Sequence, residues 1–230
     1  MRNKRRAGER TMREGREGVP WLVTATASVL AGALSGCSYH HVSSWSNFEL
    51  VAPDPAGNRA SWGLFETVSG DWKVVDRVDV PSPPQSVQQD HVGAKDDFNL
   101  LLVTGAKAEA GTLSVRLRAL DGTIDQGGGL VWRAQSPRDY YLARWNPLEN
   151  NVRAYVVKDG VRTMLASEGV ELGDGWHALA ITFDDDRIEV ALDGQVKLAF
   201  DHSAQFPAGR FGVWTKADAR TQFDDLAIAD

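Results

Sequence analysis

Arg133, Gln135, Tyr140, Arg144, Asn146, Arg153 and Tyr155 fall at alternate positions of three short segments, GLVWRAQ, DYYLARWN and NVRAYVV, and Lys216 follows in RFGVWTK. Alternation matters because successive side chains of an extended strand point to opposite faces, so residues two apart share one. On this reading Val131, Arg133 and Gln135 share a face, as do Tyr140, Leu142, Arg144 and Asn146, and likewise Arg153, Tyr155 and Val157. Guanidiniums, amides and flat rings gathered on one surface suit a polyhydroxylated ligand. Rings stack on its C–H faces and planar donors hydrogen-bond its hydroxyls. The same residue types also pair across strands merely to brace a sheet, and both roles stand at this stage.

Other chemistries find less to work with. Hydrolysis of a glycosidic bond needs two carboxylates facing one cleft, and no strand-like segment sets acidic residues at alternate positions to provide them. Asp184, Asp185 and Asp186 are consecutive, project in different directions and read as turn residues. Asp224 and Asp225, also adjacent, are candidate ligands for a structural calcium ion, with capping of the last strand as their other role. His177, behind Trp176 at the start of a strand, is expected to hydrogen-bond backbone. His40 and His41 are neighbours and His91 and His202 are scattered, so no metal-binding spacing exists. Beyond that calcium ion no cofactor is expected.

The N-terminus reads as an address. Seven Lys and Arg residues lie between Arg2 and Arg16, and an uncharged run from Gly18 to Gly36 follows, too short to span a bilayer as a permanent helix. It ends in LSGC, Leu34–Cys37, which resembles a bacterial lipobox: Cys37 would be lipidated and the chain cut before it. Ser38 in the next position favours the outer membrane over the inner, and Met12 offers a second start upstream of the same apolar run. The remaining 194 residues carry 18 basic against 28 acidic side chains, a net charge of −10. That balance excludes a nucleic-acid partner, which needs a basic stripe to neutralise phosphates. It also leaves membrane attachment to the lipid on Cys37 alone.

These side chains need strands to position them. TLSVRLRAL puts Leu113, Val115, Leu117 and Ala119 on one face, and DRIEVALDG buries Ile188, Val190 and Leu192. Asp-Gly pairs at residues 121–122, 159–160 and 193–194 each sit between alternating runs and predict hairpins. DVPSPPQSVQQDH, Asp79–His91, carries three prolines and reads as a surface loop. Roughly a dozen strands with no helix of three turns predict an all-β fold, an antiparallel β-sandwich of two sheets, with a barrel as the other way to close it. Residues 37–60 read as a tether and residues 61–230 as the domain. Trp72, Trp132, Trp176 and Trp214 are expected in or beside its core.

SGDWKVVD, GGGLVWRA, DYYLARWNPLENNVRAYVVKDGVRTMLAS, GWHALAITFDDDRIEVALDGQ and GRFGVWTKADARTQFDDLAIA, in that order, resemble the concanavalin A-like jelly-roll modules of bacterial envelope proteins. Within them the chain is most similar to the domain family named for 3-keto-disaccharide hydrolases. The resemblance implies a jelly roll with a carbohydrate or glycan-like ligand on its concave face. It leaves open a binding module, an enzyme acting on 3-keto-sugars with Arg133, Arg144 and His177 or Lys216 in its pocket, and a structural or adhesion module.

Overall fold

In the computed structural model, residues 42–44 and 65–229 are described. The basic leader, Cys37, the His40–His41 pair and most of the tether lie outside these residues. Strands are numbered in chain order, and those described form two sheets, all paired antiparallel. The eight-stranded sheet comprises β3 (Trp72–Asp76), β4 (Gln85–Gln89), β6 (Gly111–Asp121), β11 (His177–Phe183), β12 (Arg187–Leu192), β13 (Gln195–Asp201) and β15 (Arg220–Ala229), in the order β13-β12-β11-β6-β15-β4-β3. Its eighth member, β1 (Val42–Ser44), pairs with β15. Sheet pairing therefore begins inside the stretch 37–60. The seven-stranded sheet contains β2 (Phe65–Ser69), β5 (Phe98–Val103), β7 (Gly128–Ser136), β8 (Asp139–Asn146), β9 (Asn151–Lys158), β10 (Val161–Gly169) and β14 (Arg210–Lys216), in the order β10-β9-β8-β7-β14-β5-β2.

The alternating apolar residues explain the sandwich. Leu113, Val115 and Leu117 of β6 and Leu179 and Ile181 of β11 meet Leu130, Trp132, Tyr141, Ala143 and Trp145 of the facing sheet in one buried cluster. Trp132 stacks on Tyr141 with ring centroids 5.4 Å apart. Trp72 and Trp132 lie in this core, and Trp176 is half-buried with its indole N–H donating to the Asp79 carbonyl at 3.0 Å. Trp214 is buried as expected, but in a different cluster. It follows the inward-facing Val213, so it belongs to a second cluster on the outer face of the seven-stranded sheet.

Two of the three Asp-Gly pairs make hairpins. Asp159-Gly160 joins β9 to β10 with φ of 52° and 80°, and Asp193-Gly194 joins β12 to β13 with φ of 50° and 76°. These left-handed values match the turn whose twist suits antiparallel strands. Asp121-Gly122 is the exception, because β6 and β7 lie in different sheets and the chain must cross between them. There Gly122 takes φ 143°, and Asp218 accepts the amides of Thr123, Ile124 and Asp125 at 2.7–3.0 Å, shaping a loop instead. The stretch 79–91 is only partly a loop. Its prolines end at residue 84, and the unbroken QSVQQ that follows forms β4 between β3 and β15.

Candidate functional site

Six of the eight predicted ligand-binding residues share one surface. Tyr140, Arg144 and Asn146 on β8, Arg153 and Tyr155 on β9, and Lys216 on β14 all project from the outer face of the seven-stranded sheet. Residue pairs across the strands fix this: Arg144 lies beside Arg153 and Gly129, Gly129 beside Trp214, and Tyr155 beside Leu142. Gly129 is required at its place, since any Cβ there would run into the Ala143 carbonyl. Its missing side chain lets the backbone of β8 approach closely there, between Arg144 and Trp214.

Arg133 and Gln135 do not join them. Arg133 has φ 49°, and the β7–β8 register shifts between Trp132 and Ser136. An extra residue in one strand reverses which face the following side chains take. Beyond the bulge it is Ala134 that enters the outer cluster with Val131 and Tyr140. Arg133 instead turns to the end of the sandwich, donating to the Phe206 and Glu109 carbonyls and to Asp185 at 2.6 Å. Gln135 follows it, its amide donating to Pro207 and Arg133 carbonyls. A pocket shared by Arg133, Arg144 and His177 is therefore not formed.

A polar network occupies one end of the outer face. Arg144, 2% exposed, donates to Asn151 Oδ1 at 3.0 Å and to Glu149 Oε2 at 2.6 Å. Arg153 reaches the same Glu149 oxygen at 2.9 Å. Asn146 donates to Asp125 Oδ1 at 2.7 Å and Lys216 Nζ lies 3.3 Å from Asp125 Oδ2. Burial pushes the Glu149 carboxyl up, but the Arg144 hydrogen bond and the charges of Arg144 and Arg153 outweigh it and hold the group below its ordinary value. A carboxylate so held accepts hydrogen bonds readily and is poorly placed to donate a proton.

The face curls on itself. The Arg162 guanidinium, on edge strand β10, stands 4.4 Å from the Tyr155 ring on β9, 5.8 Å from Trp214 on β14 and 5.5 Å from Phe98 on β5. A flat sheet would place β10 and β5 about 24 Å apart at the usual strand spacing, so the outer face must be strongly concave. Tyr140, Leu142 and Val157 on its floor are completely buried.

Sequence reasoning missed Asp125, Glu149, Asn151, Arg162 and Trp214. Arg162 was within reach: the Asp159-Gly160 hairpin pairs it with Val157, already on the right face. Asp125 and Glu149 lie in connections, where no period assigns a direction.

The other candidates hold structure. His177 donates through Nδ1 to the Asp193 carboxylate at 2.7 Å, its Nε2 lies 2.9 Å from the Gly173 carbonyl, and its ring packs against Trp145 at 4.7 Å, the backbone-bonded structural role expected. Asp224 accepts the Ser82 amide at 2.8 Å and Asp225 the Ser82 hydroxyl at 2.5 Å, so both tie the proline loop to β15. Burial, aided by the Asp225 charge, pushes the Asp224 carboxyl up to about 6 against the opposing Ser82 and Asp225 amides. Asp184 accepts the amides of Asp186 and Arg187 at 2.8 Å, as a turn residue does, while Asp185 meets Arg133. Among the described residues no three His, Cys, Asp or Glu side chains gather to hold a metal ion.

The chain is a jelly-roll β-sandwich. Solved structures similar to it include carbohydrate-binding module CBM66 from Bacillus subtilis, at 20% identity and TM-score 0.59 over 70% of this chain and 92% of that one. Another is a protein of unknown function with a galectin-like fold from Bacillus subtilis, at 10% identity and TM-score 0.52 over 72% of this chain and 89% of that one. No family model and no curated protein matches the sequence.

Proposed function

We propose that the mature chain is a lipid-anchored outer-membrane protein that binds a carbohydrate on the concave face of its seven-stranded sheet, without catalysis. One observation carries this reading: Arg153, Arg144, Gly129 and Trp214 succeed one another across four strands of one concave face. Planar donors at one side and a ring at the other match the two ways in which proteins grip a pyranose. Fold likeness to a carbohydrate-binding module supports the same reading, though a fold alone does not fix function. Binding without turnover follows from the acids on this face, since Glu149 is engaged by two arginines and Asp125 by Lys216. The LSGC motif supports the anchor.

A glycan array with the purified protein, followed by calorimetry, tests the binder. Arg153→Ala should weaken a bound glycan about tenfold or more, because a charge-assisted hydrogen bond contributes roughly 1.5–3 kcal/mol. Turnover of 3-keto-glucosides would instead establish the enzyme implied by the 3-keto-disaccharide hydrolase likeness, and neither binding nor turnover would leave the structural module. Mass spectrometry of the mature N-terminus tests the anchor: an unmodified terminus beyond Cys37 would refute it.

A further inference from the structure

On the concave face Arg162 Nη1 and Arg144 Nε are buried without a hydrogen-bond partner, and the Tyr140 hydroxyl and Trp214 Nε1, buried beside them, have only each other. Buried polar groups in folded proteins are nearly always paired, and each one left over calls for an explanation, a bound group among them. An indole N–H and a guanidinium only donate, and a phenol can donate. The occupant must therefore bring acceptors.

Charge narrows the choice. Arg144 and Arg153 share Glu149, and Lys216 faces Asp125. Arg162 is the cation of this face that meets only rings, those of Tyr155, Phe98 and Trp214, and among the described residues it joins no ion pair. Ring faces fix the guanidinium plane without neutralising it. A guanidinium with one buried nitrogen and no carboxylate favours an anion, and its fork matches a carboxylate in two-point geometry. Trp214 and Tyr140 pack beneath it: Trp214 is 1% exposed and Tyr140 fully buried, and burial pushes the Tyr140 phenol up while the hydrogen bond from the Trp214 indole and the Arg162 charge oppose that rise.

We propose that Arg162, Trp214 and Tyr140 form an anion subsite on the concave face that takes the carboxylate of an acidic sugar. The proposal rests on the glycan reading of that face and names the class of sugar. Arg162 would bind the carboxylate through its fork, the Tyr140 phenol, held by the Trp214 indole, would donate its O–H to a carboxylate oxygen, and the sugar ring would extend over Gly129 toward Arg144.

The test titrates the purified full chain with glucuronate, methyl glucoside and acetate by calorimetry, for wild type and Arg162→Gln. Glucuronate should bind at least about tenfold more tightly than methyl glucoside, the difference one charge-assisted hydrogen bond makes. Added salt should weaken glucuronate and leave methyl glucoside unaffected. In Arg162→Gln the preference for glucuronate should vanish. Equal affinity for glucuronate and methyl glucoside overturns the anion subsite while the glycan reading stands. Arg162-dependent acetate binding with no gain from the sugar ring keeps the subsite and defeats the glycan reading. No binding of any of the three defeats both. Should Arg162→Gln fail to fold, Arg162→Lys is the second variant, and its retention of the full glucuronate preference would overturn the two-point carboxylate contact.

Discussion

The outer faces of the two sheets differ most between the β6-β11-β12 part of one and the β7, β8 and β14 strands of the other. On the eight-stranded sheet, β6, β11 and β12 alternate buried with exposed or half-exposed residues, with Arg116 and Thr182 facing water. On the seven-stranded sheet, β7, β8 and β14 are buried on both faces for most of their length. A sheet with one wet face is the ordinary antiparallel arrangement. The second sheet departs from it because curvature folds its outer face inward, and there lie two guanidinium nitrogens without partners. The difference teaches where function can sit: a polar residue on the outer face of β6, β11 or β12 is hydrated, and one on the outer face of β7, β8 or β14 must be satisfied by protein or by ligand.

The largest effect should come from unpairing a buried charge on the concave side. Lys216→Met leaves Asp125 buried and stripped of its cation, and breaking such a pair costs roughly 3–5 kcal/mol. Chemical denaturation should show it; a loss below about 1 kcal/mol would mean that water already reaches Asp125.

Next is a matched pair of outer-face truncations. Leu142→Ala on β8 should cost about 2–5 kcal/mol, as a fully buried leucine does, while Thr182→Ala on β11 should stay within about 0.5 kcal/mol. Thermal unfolding of both variants decides whether the concave face behaves as core. Similar costs would erase the contrast between the sheets.

Asp224 sharpens the comparison from the other side, as a carboxyl of the eight-stranded sheet that is buried under a loop. Its folded value of about 6 exceeds the ordinary 3.8, so between those values the folded state holds more protons than the unfolded one. Stability should therefore fall as pH rises from about 4 to about 6, by up to roughly 3 kcal/mol. Asp224→Asn should flatten that slope in a pH series of melting curves.

The smallest effect expected concerns Asp218, whose carboxylate accepts three consecutive amides of the loop that carries Asp125. Burial pushes it up, yet those amides prevail and hold it at about 2. Its contribution is complete above the ordinary value and fades as pH falls from about 4 towards 2. Asp218→Ala should cost about 1.5–3 kcal/mol at neutral pH, the range for hydrogen bonds to a charged group, and lose that acid sensitivity.

Period-two patterning made the sandwich legible, because burial of one strand face forces apolar residues to alternate whatever the topology. It placed Tyr140, Arg144, Asn146, Arg153 and Tyr155 on one surface and, of the three Asp-Gly hairpins it predicted, two formed. Arg133 and Gln135 escaped it, since one residue at φ 49° reverses the alternation and no local signal marks that bulge. Asp121-Gly122 escaped as well, because a hairpin and a crossing between sheets begin with the same two residues.

What the sequence determined by itself is therefore the set of strands and the face each side chain takes along an unbroken one, both consequences of backbone geometry over a few residues. Which strands adjoin, that β10 curls within reach of β5, and that Arg162 meets three rings instead of a carboxylate were decided only by tertiary structure. Those contacts join residues 64 and 52 positions apart, Phe98 and Trp214 with Arg162, and depend on the curvature of seven paired strands together, a property that no single segment possesses.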